Sequence, residues 1–334
     1  MSPLSVRESA AFIANNAKEV RVSEAGVCKA ADWIGRAMKE SNYSRKEWGK
    51  HQLNPSAPSE ETIAWIFVVD ALNFSFWTER PESDPSRYGV RWEGVLWTGY
   101  WSLCACINRA LASGTPITDP AWFARASDNE LALVFRSDTA DAIPLLEERI
   151  KVLRECGQIL LKEFQGSFIE CIRQAGHSAT ALVRLIVSNF PCFRDAHLYQ
   201  GREVAFYKRA QILVADIWAC CDAQGLGQFD DIDSLTMFAD YRVPQALIAI
   251  GALEYGDGLW QDLSERVPIL PGSERECEIR GGSIHAVECI RQELQEKGIH
   301  TNAVLLDFFL WDYAKRESES LKSIPIHHTR SIWY

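Results

Sequence analysis

A chain of 334 residues with 47% hydrophobic and 24% charged side chains has an ordinary globular balance and room for one large domain or two smaller ones. Its formal net charge of −10 argues against a nucleic-acid backbone as the main ligand, which would favour a basic face. Twelve Trp, 15 Phe and 9 Tyr supply a large core and flat surfaces on which rings stack.

The ten cysteines form no C-x-x-C pair, no secretory signal is present, and the longest apolar runs, such as ALIAIGAL at 246–253, are too short to span a bilayer. These features predict a soluble, cytoplasmic protein with buried free thiols and no membrane partner.

In chain order, apolar residues at three- and four-residue spacing predict helices over 5–20 and 25–40. NPSAPSE (54–60) and ERPESDPSR (79–87) read as polar turns. The clearest β signal is YGVRWEGVLWTGYW (88–101), two alternating runs around Glu93-Gly94 that predict a hairpin. Asp119-Pro120 and Ser127-Asp128 mark helix starts, as does Pro144 ahead of a helix over 144–164. Further helices are predicted over 178–190, 207–221, 242–253, 282–298 and 302–318, with weaker strand candidates at 201–207 and 277–281. No repeat or low-complexity tract interrupts the pattern, which reads as one mainly α domain over 1–334 with a small β element.

Several chemistries lose their usual support. There is no G-x-x-x-x-G-K-[ST] phosphate loop, the GLG at 225–227 lacks the rest of a dinucleotide fingerprint, and neither H-E-x-x-H nor G-x-S-x-G occurs. Cys and His spacing offers no zinc site.

What remains are polar groups in apolar surroundings. Asp240 follows Met237, Phe238 and Ala239 and precedes a helix opened by Pro244. A carboxylate there is costly to ionise without a partner, so it is either a cap or a group kept for chemistry. Asp307 and Asp312 in LLDFFLWDYA lie five apart, about 140° around an ideal helix. Spacing alone favours Asp307 as a helix-start cap and Asp312 as a partner of Lys315 or Arg316.

In DALNFSFW (70–77), Asn73 and Ser75 alternate with rings, and buried amides need partners. GYWSLCACINRAL (99–111) reads equally as a buried helix capped by Ser102. Lys208 and Arg209 open an apolar helix where cations oppose the dipole. They fit a bound phosphate or a pairing with Asp195 or Glu203. His51 stands alone on a loop.

LNFSFW (72–77), GYWSLCACINRAL (99–111), FRSDT (135–139), PLLEER (144–149), FYKRAQILVAD (206–216), MFADYRVPQ (237–245), EIRG (278–281), LLDFFLWDYA (305–314) and the ending IPIHHTRSIWY resemble, in order and spacing, the queuosine salvage protein family of queuosine 5′-phosphate N-glycosylases/hydrolases. The resemblance runs from about residue 5 to 334. It implies a mainly helical fold similar to helix-hairpin-helix DNA glycosylases, with no metal and no organic cofactor. The implied reaction is hydrolysis of the N-glycosidic bond of queuosine 5′-monophosphate to queuine and ribose 5-phosphate.

By this resemblance the catalytic aspartate falls on Asp240 and the base-binding residues on His51, Phe238, Asp307, Phe308 and Asp312. Position 308 is Phe here where a member such as the human one has Tyr, so stacking or a backbone contact carries over but not a phenolic bond.

The chemistry agrees. Glycosidic cleavage develops oxocarbenium charge that a carboxylate stabilises or relieves by activating water. A donor-rich base with a cationic arm calls for acceptors such as Asp307 and Asp312. Asn73 is a further candidate contact, and Lys208, Arg242 and Arg330 are candidates for the phosphate by charge. The acidic chain suits a free nucleotide and no stable nucleic-acid complex. The alternatives are a non-catalytic queuine-binding protein, which would not need Asp240, and a DNA-glycosylase-like enzyme on a nucleic-acid base, which would want a basic stripe.

Overall fold

Capping side chains set where many of the helices begin. Ser5 and Ser127 accept from the N–H three residues on, while Glu8 and Glu130 return a bond to the cap's own N–H, satisfying two orphan amides at once. Ser23, Ser59, Asp119, Ser178, Ser273 and Asn302 cap their helices through one side-chain oxygen.

The computed structural model describes residues 4–81 and 83–334. The first half contains α1 (Val6–Asn16), β1 (Val20–Val22), α2 (Glu24–Glu40), α3 (Glu60–Ala71), β2 (Gly89–Trp92), β3 (Val95–Thr98), α4 (Tyr100–Ala112), α5 (Pro120–Phe123), α6 (Asp128–Val134) and α7 (Leu146–Glu163). The second contains α8 (Phe168–Ala175), α9 (Ala179–Asn189), β4 (Ala196–Tyr199), β5 (Arg202–Ala205), α10 (Lys208–Cys220), α11 (Val243–Ala249), β6 (Leu253–Tyr255), α12 (Asp257–Ser264), α13 (Glu274–Glu296) and α14 (Ala303–Arg316). The fold is therefore mainly α. Its strands form small antiparallel pairs, β1 with β6, β2 with β3 and β4 with β5. Among the described residues no helix is long and apolar enough to cross a membrane.

The hairpin predicted at Glu93-Gly94 is β2–β3, and both turn residues have positive φ, 48° and 81°, as a two-residue turn of the I′ kind demands. The candidate strand at 201–207 supplies β5. The candidate strand at 277–281 is overturned, because these residues lie inside α13. The buried glycines there serve close packing of helix against its neighbours. A Cβ on Gly281 would meet Ile13 of α1 at 2.7 Å, and one on Gly282 would meet Val20 at 2.8 Å.

Helix α7 begins after Leu145, itself at φ 56°, and not at Pro144. Gly99, not Ser102, precedes α4, and the Ser102 hydroxyl donates back to the Gly99 carbonyl at 2.6 Å. Helix α3 escapes a periodicity reading because it is buried almost all round, from Thr62 to Ala71, and so has no polar face.

Two apolar clusters divide the interior. One gathers Phe67, Leu103, Leu153, Leu182 and Val214 from α3, α4, α7, α9 and α10. The other gathers Ile13, Ile34, Leu247, Ile284 and Leu310 from α1, α2, α11, α13 and α14. The segment before α11 threads between them, with Phe238 in the first cluster and Met237 and Ala239 in the second. Helix α14 does the same, giving Val304 to the first and Leu306 and Leu310 to the second. That alternation brings Asp240 and Asp307 to the seam.

Buried arginines lock the seam. Arg280 of α13 meets Asp195 with two nitrogens, one at 2.8 Å, and donates to Glu276 Oε1 at 3.2 Å and to the Ala239 carbonyl at 3.1 Å. Its guanidinium faces the rings of Phe206 at 4.1 Å and Tyr334 at 4.3 Å. Asp195 in turn accepts the Lys208 N–H at 3.2 Å, which caps α10. Burial opposes ionisation of Asp195, yet Arg280 holds its pKa well below the usual carboxylate range.

Arg149 and Arg209 take up the chain beyond α3. Arg149 donates to the carbonyls of Pro144, Leu72 and Phe74, and Arg209 to those of Ala71 and Cys192. The carbonyls of Ala71 and Leu72 are orphans of the α3 end, and all five are satisfied by buried side chains. Arg209 is thereby committed to structure. Ser75 is held by the final segment, its N–H on Tyr334 O and its hydroxyl on Ser331 O, both at 2.8 Å.

Removing one partner of a buried ion pair strands the other. Arg280→Met is therefore expected to cost about 3–5 kcal/mol of stability in urea unfolding. Lys297→Met breaks surface pairs with Asp32 and Glu293 and is expected to cost less than about 1 kcal/mol. Equal, small losses in both would contradict the central place given to Arg280.

Candidate active site

The seam opens into a cavity of about 1090 Å³, in the size range of a small-molecule site. Of the sequence candidates, His51, Asn73, Lys208, Phe238, Asp240, Arg242, Asp307, Phe308 and Asp312 all line it. Arg330 does not. Its guanidinium lies 3.5 Å from the Trp77 ring and donates to the Trp77 carbonyl at 2.9 Å.

Asp240 caps a helix and also lines the cavity. One oxygen, Oδ1, accepts the N–H groups of Arg242 at 2.7 Å and Val243 at 2.9 Å, and so fixes the start of α11. Among the described residues no hydrogen bond falls on the other oxygen. Burial raises the Asp240 pKa, while Lys208 and the two amides pull it back down.

Lys208 sits at the head of α10 with Nζ 3.3 Å from the Asn73 carbonyl. Burial lowers its pKa, and the carboxylates of Asp240, Asp70 and Asp307 oppose that fall. Its backbone, not its ammonium, meets Asp195.

Helix α14 supplies a whole wall. Counting 100° per residue from Asp307, Trp311 falls at about 40°, Lys315 at about 80°, Phe308 at about 100° and Asp312 at about 140°. All of them line the cavity. The two aspartates are thus the edges of one broad face, and the cavity wraps it.

Neither aspartate is spent on the local roles that spacing suggested. Asn302 caps α14, and Asp307 Oδ1 accepts the Phe238 N–H at 2.8 Å. Asp312 accepts the Tyr43 hydroxyl at 2.6 Å. Burial, then the charge of Asp240, pushes the Asp307 pKa well above the carboxylate range. Asp312 opens onto the cavity yet is desolvated by its walls, which raise its pKa in the same direction.

Aromatic rings complete the lining. Phe238 and Phe308 lie 6.1 Å apart at 56°. His51 stacks flat on Trp101, 3.3 Å between centroids, while Trp101 meets Trp311 edge-on at 5.9 Å. Burial lowers the His51 pKa to about 4, so the imidazole is neutral near pH 7. Its Nδ1 accepts the Leu53 N–H at 3.3 Å, which places the ring proton on Nε2 as a donor.

Sequence reasoning missed Tyr43, Trp101 and Asp216. Asp216 faces the cavity from α10, and burial, then Asp70, pushes its pKa far up. A signal was available: Lys208, Ile212 and Asp216 recur at four-residue spacing, which puts two charges on one face of the helix. Tyr43 and Trp101 come from distant elements and carry no such local mark. Among the described residues no three or more His, Cys, Asp or Glu side chains gather as a metal ion would need.

The geometry is that of a cavity walled by aromatic rings and carboxyl groups. The family profile described as Queuosine salvage protein matches residues 53–334. A queuosine 5′-phosphate N-glycosylase/hydrolase from Mus musculus is 48% identical over 340 residues, covering 99% of this chain and 99% of its own. Proteins of the same name from Bos taurus and Schizosaccharomyces pombe are 44% and 42% identical, covering 99% and 98% of this chain and 99% of their own in each case. A profile match over most of the chain and relatives this similar end to end settle the question of kinship: the chain belongs to the queuosine salvage protein family.

Proposed function

We propose that this chain hydrolyses the N-glycosidic bond of queuosine 5′-monophosphate, releasing queuine and ribose 5-phosphate. The observation that carries the reading is Asp240. One of its oxygens is fixed by two amides, and the carboxylate stands at the wall of an aromatic cavity next to a pair of carboxyl groups made for a donor-rich base.

As the bond to the base stretches, positive charge develops on the ribose. Ionised Asp240 meets that charge, either directly or by taking a proton from an attacking water. Lys208 and the amides of residues 242 and 243 favour its ionised form. That negative charge pushes the neighbouring Asp307 toward its protonated form, and pairs of carboxyls driven apart in this way divide the labour of base and acid.

Asp307 and Asp312 would accept from the base's N–H groups and its cationic arm, His51 would donate through Nε2, and Phe238 and Phe308 would face the ring. Work on a free nucleotide in a soluble compartment of the cell is part of the same proposal, and the chain's negative charge supports it.

Asp240→Asn keeps the shape and removes the charge. Chromatography of released queuine is expected to show a rate loss on the order of 1,000-fold, with queuine affinity within about threefold of wild type because the acceptor pair is untouched. Unchanged hydrolysis in the variant would sink the role given to Asp240. Tight queuine binding with no release by wild type would point to a carrier.

The pH profile carries a sign. The active form is ionised and the Asp240 pKa is raised, so the acidic limb of kcat/KM is expected above the ordinary carboxylate range. Lys208→Met deletes the charge that opposes the shift, and the limb should then move further up. A limb at the ordinary aspartate value, or one indifferent to Lys208, contradicts this electrostatic account.

A further inference from the structure

Four successive carbonyls at and beyond the end of α3 are each taken by a buried cation. Arg209 holds that of Ala71, Arg149 those of Leu72 and Phe74, and Lys208 that of Asn73, with Nζ at 3.3 Å. Among the described residues none of the three cations forms an ion pair. Only Lys208 of the three reaches the cavity wall. The arginines fix the chain on either side, and the carbonyl between them is left for the lysine.

Among the described residues the Lys208 ammonium has no other hydrogen bond, so whatever places the Asn73 carbonyl places the ammonium. Asp70, in the last turn of α3, grips Asn73 twice. Its carbonyl accepts the Asn73 N–H at 3.4 Å, and its Oδ1 accepts Asn73 Nδ2 at 3.2 Å. The residue is 0% exposed, and its Oδ2 has no partner among the described residues. A buried carboxyl left half satisfied is costly. An apolar side chain would avoid that cost, so the carboxyl is accounted for by what it holds.

The groups around Asp70 come from α10 and α4. It feels Lys208 and Arg209, and its own charge reaches Asp216, Tyr100 and Cys104. Burial raises its pKa to about 7, against the pull of Asn73 and the two cations. On the acidic side of neutrality Asp70 is therefore largely uncharged. There it acts through its hydrogen bond to Asn73 and not through its charge.

We propose that Asp70 is a positioning residue for the hydrolysis: by fixing Asn73 it holds the Lys208 ammonium at the wall of the cavity that Lys208 shares with Asp240. This role rests on the hydrolase reading and adds to it a residue that is not itself on the cavity wall. Without the grip on Asn73, the carbonyl shifts and the ammonium follows it. The charge that favours ionised Asp240 is then withdrawn, and misplacement by about 1 Å is enough to cost a large factor in rate.

The test compares Asp70→Leu, which removes the acceptor, with Asp70→Asn, which keeps one. On queuosine 5′-monophosphate, Asp70→Leu is expected to lower kcat about 10- to 100-fold with KM within about threefold. The acidic limb of kcat/KM should move up, as in Lys208→Met. Asp70→Asn should recover most of the lost kcat. In the Lys208→Met background Asp70→Leu should add less than about threefold, because both act through one group. If leucine does not fit, as lost queuine binding would show, Asp70→Ala carries the same expectations. A crystal structure of the leucine or alanine variant should show the Lys208 ammonium off the Asn73 carbonyl. Equal losses from leucine and asparagine, an unmoved limb, full additivity with Lys208→Met or an unmoved ammonium would each overturn the role given to Asp70. Should wild type release no queuine while the ammonium is displaced in the variant, the hydrolase reading fails and the placement of Lys208 by Asp70 stands.

Discussion

The buried contact between Arg280 and Asp195 is the constraint on which the site depends. An unpaired charge in that position would be prohibitively costly, so each partner fixes the other, and each is tied to a different part of the wall. Asp195 caps α10 and so places Lys208. Arg280 holds the Ala239 carbonyl, one residue before Asp240, and faces the Tyr334 ring of the final segment. One ion pair therefore sets the relative position of the carboxylate, the lysine that tunes it and the segment that clasps Ser75. Replacing it by apolar residues would remove the desolvation penalty but also the directional bonds that aim Ala239.

Placement at a seam explains how so many ionisable groups share one space. The 237–239 segment sends alternate side chains to opposite cores, and α14 splits its face in the same way. Groups that fit neither core are left at the boundary. There the low dielectric couples them strongly. The raised pKa values of Asp240, Asp307 and Asp216 and the lowered ones of Lys208 and Lys315 come first from burial, which neighbouring charges reinforce at Asp307, Asp216 and Lys315 and oppose at Asp240 and Lys208.

Local grammar carried the helices with an amphipathic stripe and a serine cap, and it carried the Glu93-Gly94 turn. It did not carry α3, whose uniform burial leaves no stripe. Nor did it carry β1 with β6, whose pairing joins residues distant in sequence. It misassigned 277–281, where glycines placed for helix crossing weakened the helical pattern. In the site, a carboxylate in an aromatic run marked Asp240, Asp307 and Asp312. Their partners were invisible, because Tyr43 and Lys208 are brought to them only by tertiary packing. Asp307 and Asp312, about 140° apart around an ideal helix, both reach the cavity because it wraps that helix.

The most direct check of the account is a crystal structure of the Asp240→Asn protein with queuosine 5′-monophosphate bound. The account predicts the base between Asp307 and Asp312 with its ring against Phe238 and the anomeric carbon beside residue 240. A base away from Asp307 and Asp312, or a sugar remote from residue 240, would contradict it.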